Sequence, residues 1–238
     1  MNNTGSKEAV RRRIWRLLEE KNAALPPKPV VGRIPNFKGA GVAAARLAAH
    51  QGFKQARVVM VGPDSPQRPV RETVLKQGKL LLAPTPRFKS GFLLLEPGLV
   101  PRGRVRWATT IRGMFSLGRP VKLNEIPKVD MVVLGSVAVS RTGIRLGKGG
   151  GYGDLEYAVL RELGRIDEGT LVATTIHDLQ LVDSLPVEPH DLTIDIIATP
   201  TRLIEVHPRP PKPSGVDWSM ISEDVLPFLK ELRKLVKT

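Results

Sequence analysis

Short, nearly unbroken runs of Val, Ile and Leu punctuate this chain at 56–62 (ARVVMVG), 79–84 (KLLLAP), 91–97 (GFLLLEP), 129–140 (VDMVVLGSVAVS), 170–176 (TLVATTI) and 192–200 (LTIDIIATP). Amphipathic segments separate most of them. A strand that is apolar on both faces has to be covered on both faces, and a parallel sheet flanked by helices does this. The pattern predicts an α/β fold, a mainly parallel sheet with helices on both faces. Helices are expected over 7–21, where Val10, Ile14, Leu17 and Leu18 fall at helical spacing behind a Ser6 cap, and over roughly 69–77 and 154–164. The small-residue stretch KGAGVAAARLAAHQ reads as a further helix able to pack closely on a sheet. Prolines at 26, 27, 29 and 35 rule out regular pairing across the segment after the first helix.

Residues 1–206 are expected to form one domain, and 207–238 a proline-rich connector carrying a final helix. In that helix Val225, Leu229, Leu232 and Val236 make one apolar stripe, expected to dock on the domain.

The chain has 238 residues, a net charge of +14 and no cysteine, which excludes disulfides, thiolate metal sites and cysteine nucleophiles. No run approaches the roughly 18 apolar residues of a membrane span, and the N-terminus lacks the apolar core of a secretory signal, so a cytoplasmic protein with no membrane association is expected. The charge is polarised: +9 over residues 1–60, +11 over 61–149 and −6 over 150–238. Such an arrangement suits a polyanionic small ligand such as a nucleoside triphosphate beside a divalent cation, and equally an RNA-facing surface. Aromatics are only 5% of residues, which leaves few stacking platforms for single strands.

The stretch Arg145–Asp154, RLGKGGGYGD, holds five glycines behind an apolar run and ahead of an expected helix. Amides freed by glycines at a helix N-terminus form an anion cradle, with Arg145 and Lys148 supplying countercharge. It is not a P-loop, since Gly149 follows Gly147-Lys148 where Ser or Thr is required, and it lacks the dinucleotide glycine spacing. A flexible turn is the plain alternative. Asp154 suits either a magnesium ion on the phosphates or a helix cap. The second constellation, IHDLQLVDSLPVEPHDLTIDIIATP (176–200), contains His177-Asp178 and His190-Asp191. A His-Asp phosphohydrolase would need a helical bundle and further histidines, whereas the surroundings here are sheet-like. Asp191, just before the last apolar run, is instead expected to meet the metal held by Asp154. No Gly-x-Ser-x-Gly elbow exists, so a serine hydrolase is excluded.

Three stretches taken together, Lys7-x-x-x-Arg11, GIRLGKGGGYGD and HDLQLVDSLPVEPHDLTIDIIATP, resemble the 5-formyltetrahydrofolate cyclo-ligase (methenyltetrahydrofolate synthetase) family. IPNFKGAGVAAARL, PDSPQRPVRETVL, APTPRF, VVLGSVAVS, YGDLEYAVL and RPPKPSGVDW are similar to its methenyltetrahydrofolate synthetase domain-containing branch. The resemblance implies a fold of the ribose-phosphate isomerase and CoA-transferase kind. It also implies an ATP- and Mg²⁺-dependent ligase that closes 5-formyltetrahydrofolate, or a related formylated pterin, to the 5,10-methenyl form. Lys7, Arg11, Arg145, Gly147, Lys148, Gly149, Gly150, Gly151, Tyr152 and Gly153 match the family's ATP-contacting positions. Asp154 and Asp191 match its magnesium-associated carboxylates. Lys148, Tyr152 and Arg145 are the expected catalytic residues, and Tyr152 also faces the folate. Without these motifs, Lys7 and Arg11 would read as a solvated helix face. Two departures stand out: the family's second tyrosine is Gly153 here, and its acidic substrate-binding residue has only Asp64 as a counterpart. A nucleotide-binding or RNA-associated module on the same fold is the alternative function.

Overall fold

Ser6 starts the first helix, α1 (Lys7–Glu20), by accepting the Ala9 amide on its hydroxyl at 3.3 Å. The helix buries Val10, Ile14, Trp15 and Leu18, so Trp15 completes the apolar stripe where Leu17 was expected. Its indole Nε1 donates to the Arg33 carbonyl at 3.0 Å and ties the helix to the proline-rich segment. This computed structural model describes residues 6–218, 230 and 232–235. The expectation of no regular pairing in the proline-rich segment holds only between the prolines: the segment's two ends, β1 (Ala24–Leu25) and β2 (Asn36–Phe37), form a short antiparallel pair. The small-residue helix is α2 (Ala40–Ala48), and a short further helix, α3 (Gln51–Gln55), starts where it ends, capped by His50 Nδ1 accepting the Gly52 amide.

Beyond them lie β3 (Val58–Val61), α4 (Arg68–Lys76), β4 (Leu80–Pro84), β5 (Phe92–Leu95), the short helices α5 (Val105–Ala108) and α6 (Ile111–Leu117), and β6 (Arg119–Val121). The chain continues through β7 (Met131–Leu134), β8 (Ala138–Ser140), β9 (Arg145–Leu146) and α7 (Tyr152–Glu162). Then follow β10 (Leu171–Thr175), β11 (Leu181–Val182), β12 (Ile196–Ala198) and β13 (Leu203–Glu205), and residues 230 and 232–235 are helical.

Eight strands make one sheet in the order β13-β12-β10-β7-β3-β4-β5-β6. The run from β12 to β4 is parallel throughout, and β13, β5 and β6 add antiparallel margins. Alternate residues face opposite cores. Val59, Val61, Leu81, Val133 and Ala173 pack with Leu47 of α2 and Val70 and Val74 of α4. Met60, Leu82, Val132, Val172 and Ile197 pack with Tyr157, Val159 and Leu160 of α7. The expected α/β fold, with helices on both faces of a mainly parallel sheet, is the fold observed.

The apolar run 129–140 divides between two sheets. After β7, Gly135 and Ser136 carry the chain into a three-stranded sheet of order β11-β8-β9. Val137, Ala138 and Leu146 of this small sheet pack under Val10, Ile14 and Leu18 of α1. That packing brings the N-terminal helix to the start of the glycine loop. The proline-rich segment after β13 lies along the body: Lys212 forms a buried ion pair with Asp195 at 2.8 Å, and the Val216 amide donates to Glu162 at 3.2 Å. Of the expected C-terminal stripe, Leu232 is buried in the α7-side core, while Val225, Leu229 and Val236 lie outside the described residues.

Candidate active site

The glycine loop begins where β9 delivers Arg145 and ends at the first turn of α7. Gly149 and Gly151 have φ of 106° and 66°, left-handed values that glycine adopts without the clash a Cβ brings. Gly151 precedes the first turn of α7 and supplies no side-chain cap, so that turn's amides keep their donor capacity for a ligand. The helix begins at Tyr152, two residues before the expected start, which makes Asp154 a first-turn side chain and not the cap.

Arg145 organises this end of the sheet. It is only 6% exposed. Its Nε donates to the Gly135 carbonyl at 3.1 Å, just beyond β7, and its Nη1 donates to Asp154 Oδ1 at 3.0 Å. The same Oδ1 accepts the Leu192 amide at 3.0 Å, which pins the loop carrying Asp191 beside the glycine loop. β12 starts only at Ile196, so Asp191 is presented by the segment before the strand. A Cβ on Gly153 would stand 2.8 Å from Arg145 Nη2, so the guanidinium fills the space a side chain at 153 would enter.

From α1, Arg11 Nε donates to the Gly147 carbonyl at 2.8 Å. Lys7 Nζ donates to both oxygens of Asp191, at 2.9 and 2.7 Å, and to Glu188 at 2.7 Å. Burial disfavours the Lys7 ammonium, but its hydrogen bonds and ion pairs with Asp191 and Glu188 outweigh that and raise its pKa. Glu188, hydrogen-bonded to Lys7, is held below the ordinary glutamate range. These groups line a cavity of about 360 Å³ between α1, the glycine loop, the first turns of α7 and residues 188–191, with Pro213, Gly215 and Asp217 along one side.

A second cavity of about 520 Å³ opens on the other side of the same loop. Lys148 Nζ donates there to Asp64 at 2.9 Å. Asp64 is set by Arg71, a buried guanidinium that donates to the carbonyls of Thr109, Asp64 and Gly62. Pro63, Pro86, Ile111 and Leu134 supply apolar wall, beside Gly153 and Glu156. Glu156 is 3% exposed, and its carboxylate forms no hydrogen bond or ion pair among the described residues. Burial, with the Asp64 charge adding to it, raises its pKa well above the ordinary value against the pull of Arg145 and Lys148.

The sequence-derived residues thus gather around one loop. Lys7, Arg11, Gly149 and Asp191 line the first cavity, and Asp64, Lys148 and Gly153 the second. Arg145, Gly147, Gly150, Gly151, Tyr152 and Asp154 border both. Sequence reasoning missed Glu188 and Glu156. Glu188, His190 and Asp191 bring ligand atoms within 4.8 Å of one another; the spacing Glu188-x-His190-Asp191 was visible, though its fold partner Lys7 was not. Glu156 carried no signal, because a glutamate in a helix is ordinarily a solvent-facing residue.

The geometry defines an α/β protein with a glycine loop joining two cavities at a helix N-terminus. The chain belongs to the 5-formyltetrahydrofolate cyclo-ligase family, whose model matches residues 3–200. A methenyltetrahydrofolate synthase domain-containing protein of Mus musculus is 45% identical over 240 residues, covering 98% of this chain and 64% of its own length. The chain accordingly spans just under two thirds of such curated relatives. A 5-formyltetrahydrofolate cyclo-ligase of Mycolicibacterium smegmatis is 28% identical over 148 residues, covering 60% of this chain and 72% of that protein. The solved Aquifex aeolicus 5,10-methenyltetrahydrofolate synthetase shares the fold, with a TM-score of 0.54 at 20% identity, covering 84% of this chain and 93% of that one.

Proposed function

We propose that this chain is an ATP- and Mg²⁺-dependent cyclo-ligase that converts 5-formyltetrahydrofolate, or a related formylated reduced pterin, to its 5,10-methenyl form. The observation that carries the reading is the pair of cavities meeting at one glycine loop, with Arg145, Tyr152 and Asp154 bordering both. A phosphoryl group passing from one ligand to the other has to cross such a seam. The triphosphate lies in the first cavity against Lys7, Arg11 and the loop amides, and the pterin lies in the second. The formyl oxygen attacks the γ-phosphorus and ADP leaves; N10 of the folate then adds to the activated carbon and loses its proton to solvent, and phosphate departs with the formyl oxygen as the ring closes. The protein's part is positioning and charge neutralisation. Lys148 carries its charge to the transferred group, Tyr152 separates the two ligands, and Arg145 fixes Asp154 at the seam.

The donor set suits magnesium. Both hydrogen bonds to Asp154 fall on Oδ1, which leaves Oδ2 without one among the described residues. A hard cation bound by one or two carboxylates and phosphate oxygens needs such an oxygen, and Asp191, whose two oxygens accept from Lys7, would serve as the second carboxylate on exchanging that partner for the ion. When bound, the ion neutralises phosphate charge. Incubation with 5-formyltetrahydrofolate, ATP and Mg²⁺ should produce the methenyl chromophore; its absence, with the protein folded, would refute the assignment.

A different observation favours a second reading, an RNA-associated module. Arg102, Arg104, Arg106 and Arg112 are exposed and form no ion pair among the described residues. Arg104 lies 5.6 Å over the Trp107 ring, and Trp107 and Phe115 are 39% and 50% exposed. Guanidinium groups beside exposed rings suit phosphates and stacked bases. Under this reading single-stranded RNA is retained on a filter with steep salt dependence, and R106A/R112A loses it. Retention that salt and these substitutions leave unchanged would dismiss it.

A further inference from the structure

Glu156 lines the second cavity, and the chemistry above does not use it. It projects from α7 one turn beyond Tyr152 and is 3% exposed. Two cations beside it are committed elsewhere, Lys148 to Asp64 at 2.9 Å and Arg145 to the Gly135 carbonyl and Asp154, while Arg33 and Arg87 also line the cavity. A buried carboxylate without a partner is costly, and the cost is recovered when a ligand brings donors to it. Its oxygens are not among the buried side-chain atoms cut off from both solvent and partners, so they are reachable from the cavity.

The chemistry of the surroundings narrows the ligand. Pro63, Pro86, Ile111 and Leu134 offer apolar surface to a flat ring. Gly153 leaves the wall next to Glu156 without a side chain. A carboxylate takes two parallel N–H donors in a fork, the edge that a 2-amino-lactam ring presents through its exocyclic amine and adjacent ring N–H. An adenine edge alternates donor and acceptor and does not match.

We propose that Glu156 is a specificity-determining residue that binds the 2-amino-lactam edge of the pterin in the second cavity. This rests on the cyclo-ligase reading above. It also gives the site an acidic anchor that Asp64, held by Lys148, does not supply.

The test is calorimetric binding of 5-formyltetrahydrofolate, and of its analogue with the 2-amino group replaced by methyl, to the full chain and to Glu156→Gln. Wild type should prefer the natural ligand by about 10- to 100-fold, the range expected for a charge-assisted hydrogen bond, and E156Q should lose most of that preference. ATP binding should be unchanged in E156Q. A loss of both ligands in equal measure would mark a structural role and overturn the proposal, as would a preference that survives in E156Q. Glu156→Asp, with the carboxylate withdrawn by one methylene, should show an intermediate preference. No pterin binding by the wild type would overturn the cyclo-ligase reading together with this one, whereas methenyl turnover with an unaltered preference in E156Q would overturn this one alone.

Discussion

The two cavities beside the glycine loop are built on opposite principles. In the first, the charges are already matched within the protein: Lys7 with Asp191 and Glu188, Arg145 with Asp154, and Arg11 with the Gly147 carbonyl. On the proposed reading, a triphosphate entering there would exchange partners in a network that is assembled before it arrives, the kind of preorganisation that positions a reacting group. In the second, Pro63, Pro86, Ile111 and Leu134 add apolar wall beside Arg33, Arg87 and the Lys148–Asp64 pair, and one buried carboxylate, Glu156, has no partner among the described residues. On the proposed reading the contrast separates tasks: one side would handle charge and the other would select a ring by its shape and donor edge.

Arg145 is where the comparison breaks most readily, since it borders both cavities. Arg145→Met leaves the Gly135 carbonyl and Asp154 without their donor. It should cost about 3 kcal/mol of stability, measured by urea denaturation, and remove methenyl formation altogether. Asp154→Asn keeps an acceptor for Arg145 and for the Leu192 amide, so the urea midpoint should hardly move while turnover falls by about 1000-fold. A folded D154N enzyme with full activity would remove Asp154 from the chemistry. Gly153→Tyr, which supplies the aromatic ring the family's motif carries at this position, should lower turnover by about 100-fold, because the new Cβ displaces Arg145 Nη2 from 2.8 Å. A gain in activity would show that the guanidinium has room to move.

Lys7→Met should act on the first cavity alone, raising the KM for ATP by about tenfold and leaving the KM for the pterin unchanged. The smallest effect is on acid stability. Lys7 depresses the Glu188 pKa, so the contact stabilises the fold above the ordinary glutamate pKa and is lost as pH falls through the lower folded value. Because Glu188 is about half exposed, K7M should flatten that acid limb only slightly in a pH series of thermal midpoints.

Much of the fold was legible because a parallel strand covered on both faces is written locally, as in VVMV of β3 and MVVL of β7. The outermost strands were not. β6 is Arg-Pro-Val and β13 Leu-Ile-Glu, short segments whose pairing is decided by the strand beside them. The division of the run 129–140 between two sheets turns on Gly135 and Ser136, whose role appears only once Arg145 is seen to seek the Gly135 carbonyl. The first cavity was largely readable, since its loop is one continuous motif and its other residues belong to two more. The second draws on separate stretches near residues 27–34, 63–65, 86–87, 111, 134–135 and 145–156, and no local pattern joins them. Glu156 was hidden for the same reason: its burial is a property of the assembled wall.

The central claim is that the glycine loop separates a triphosphate site from a ring site. A structure of the chain with a non-hydrolysable ATP analogue, Mg²⁺ and 5-formyltetrahydrofolate tests it most directly. The account predicts phosphates against Lys7 and Arg11, and the pterin across the loop with its formyl group at Tyr152 and Lys148. Both ligands on one side of the loop, or a pterin seated away from it, would contradict the account.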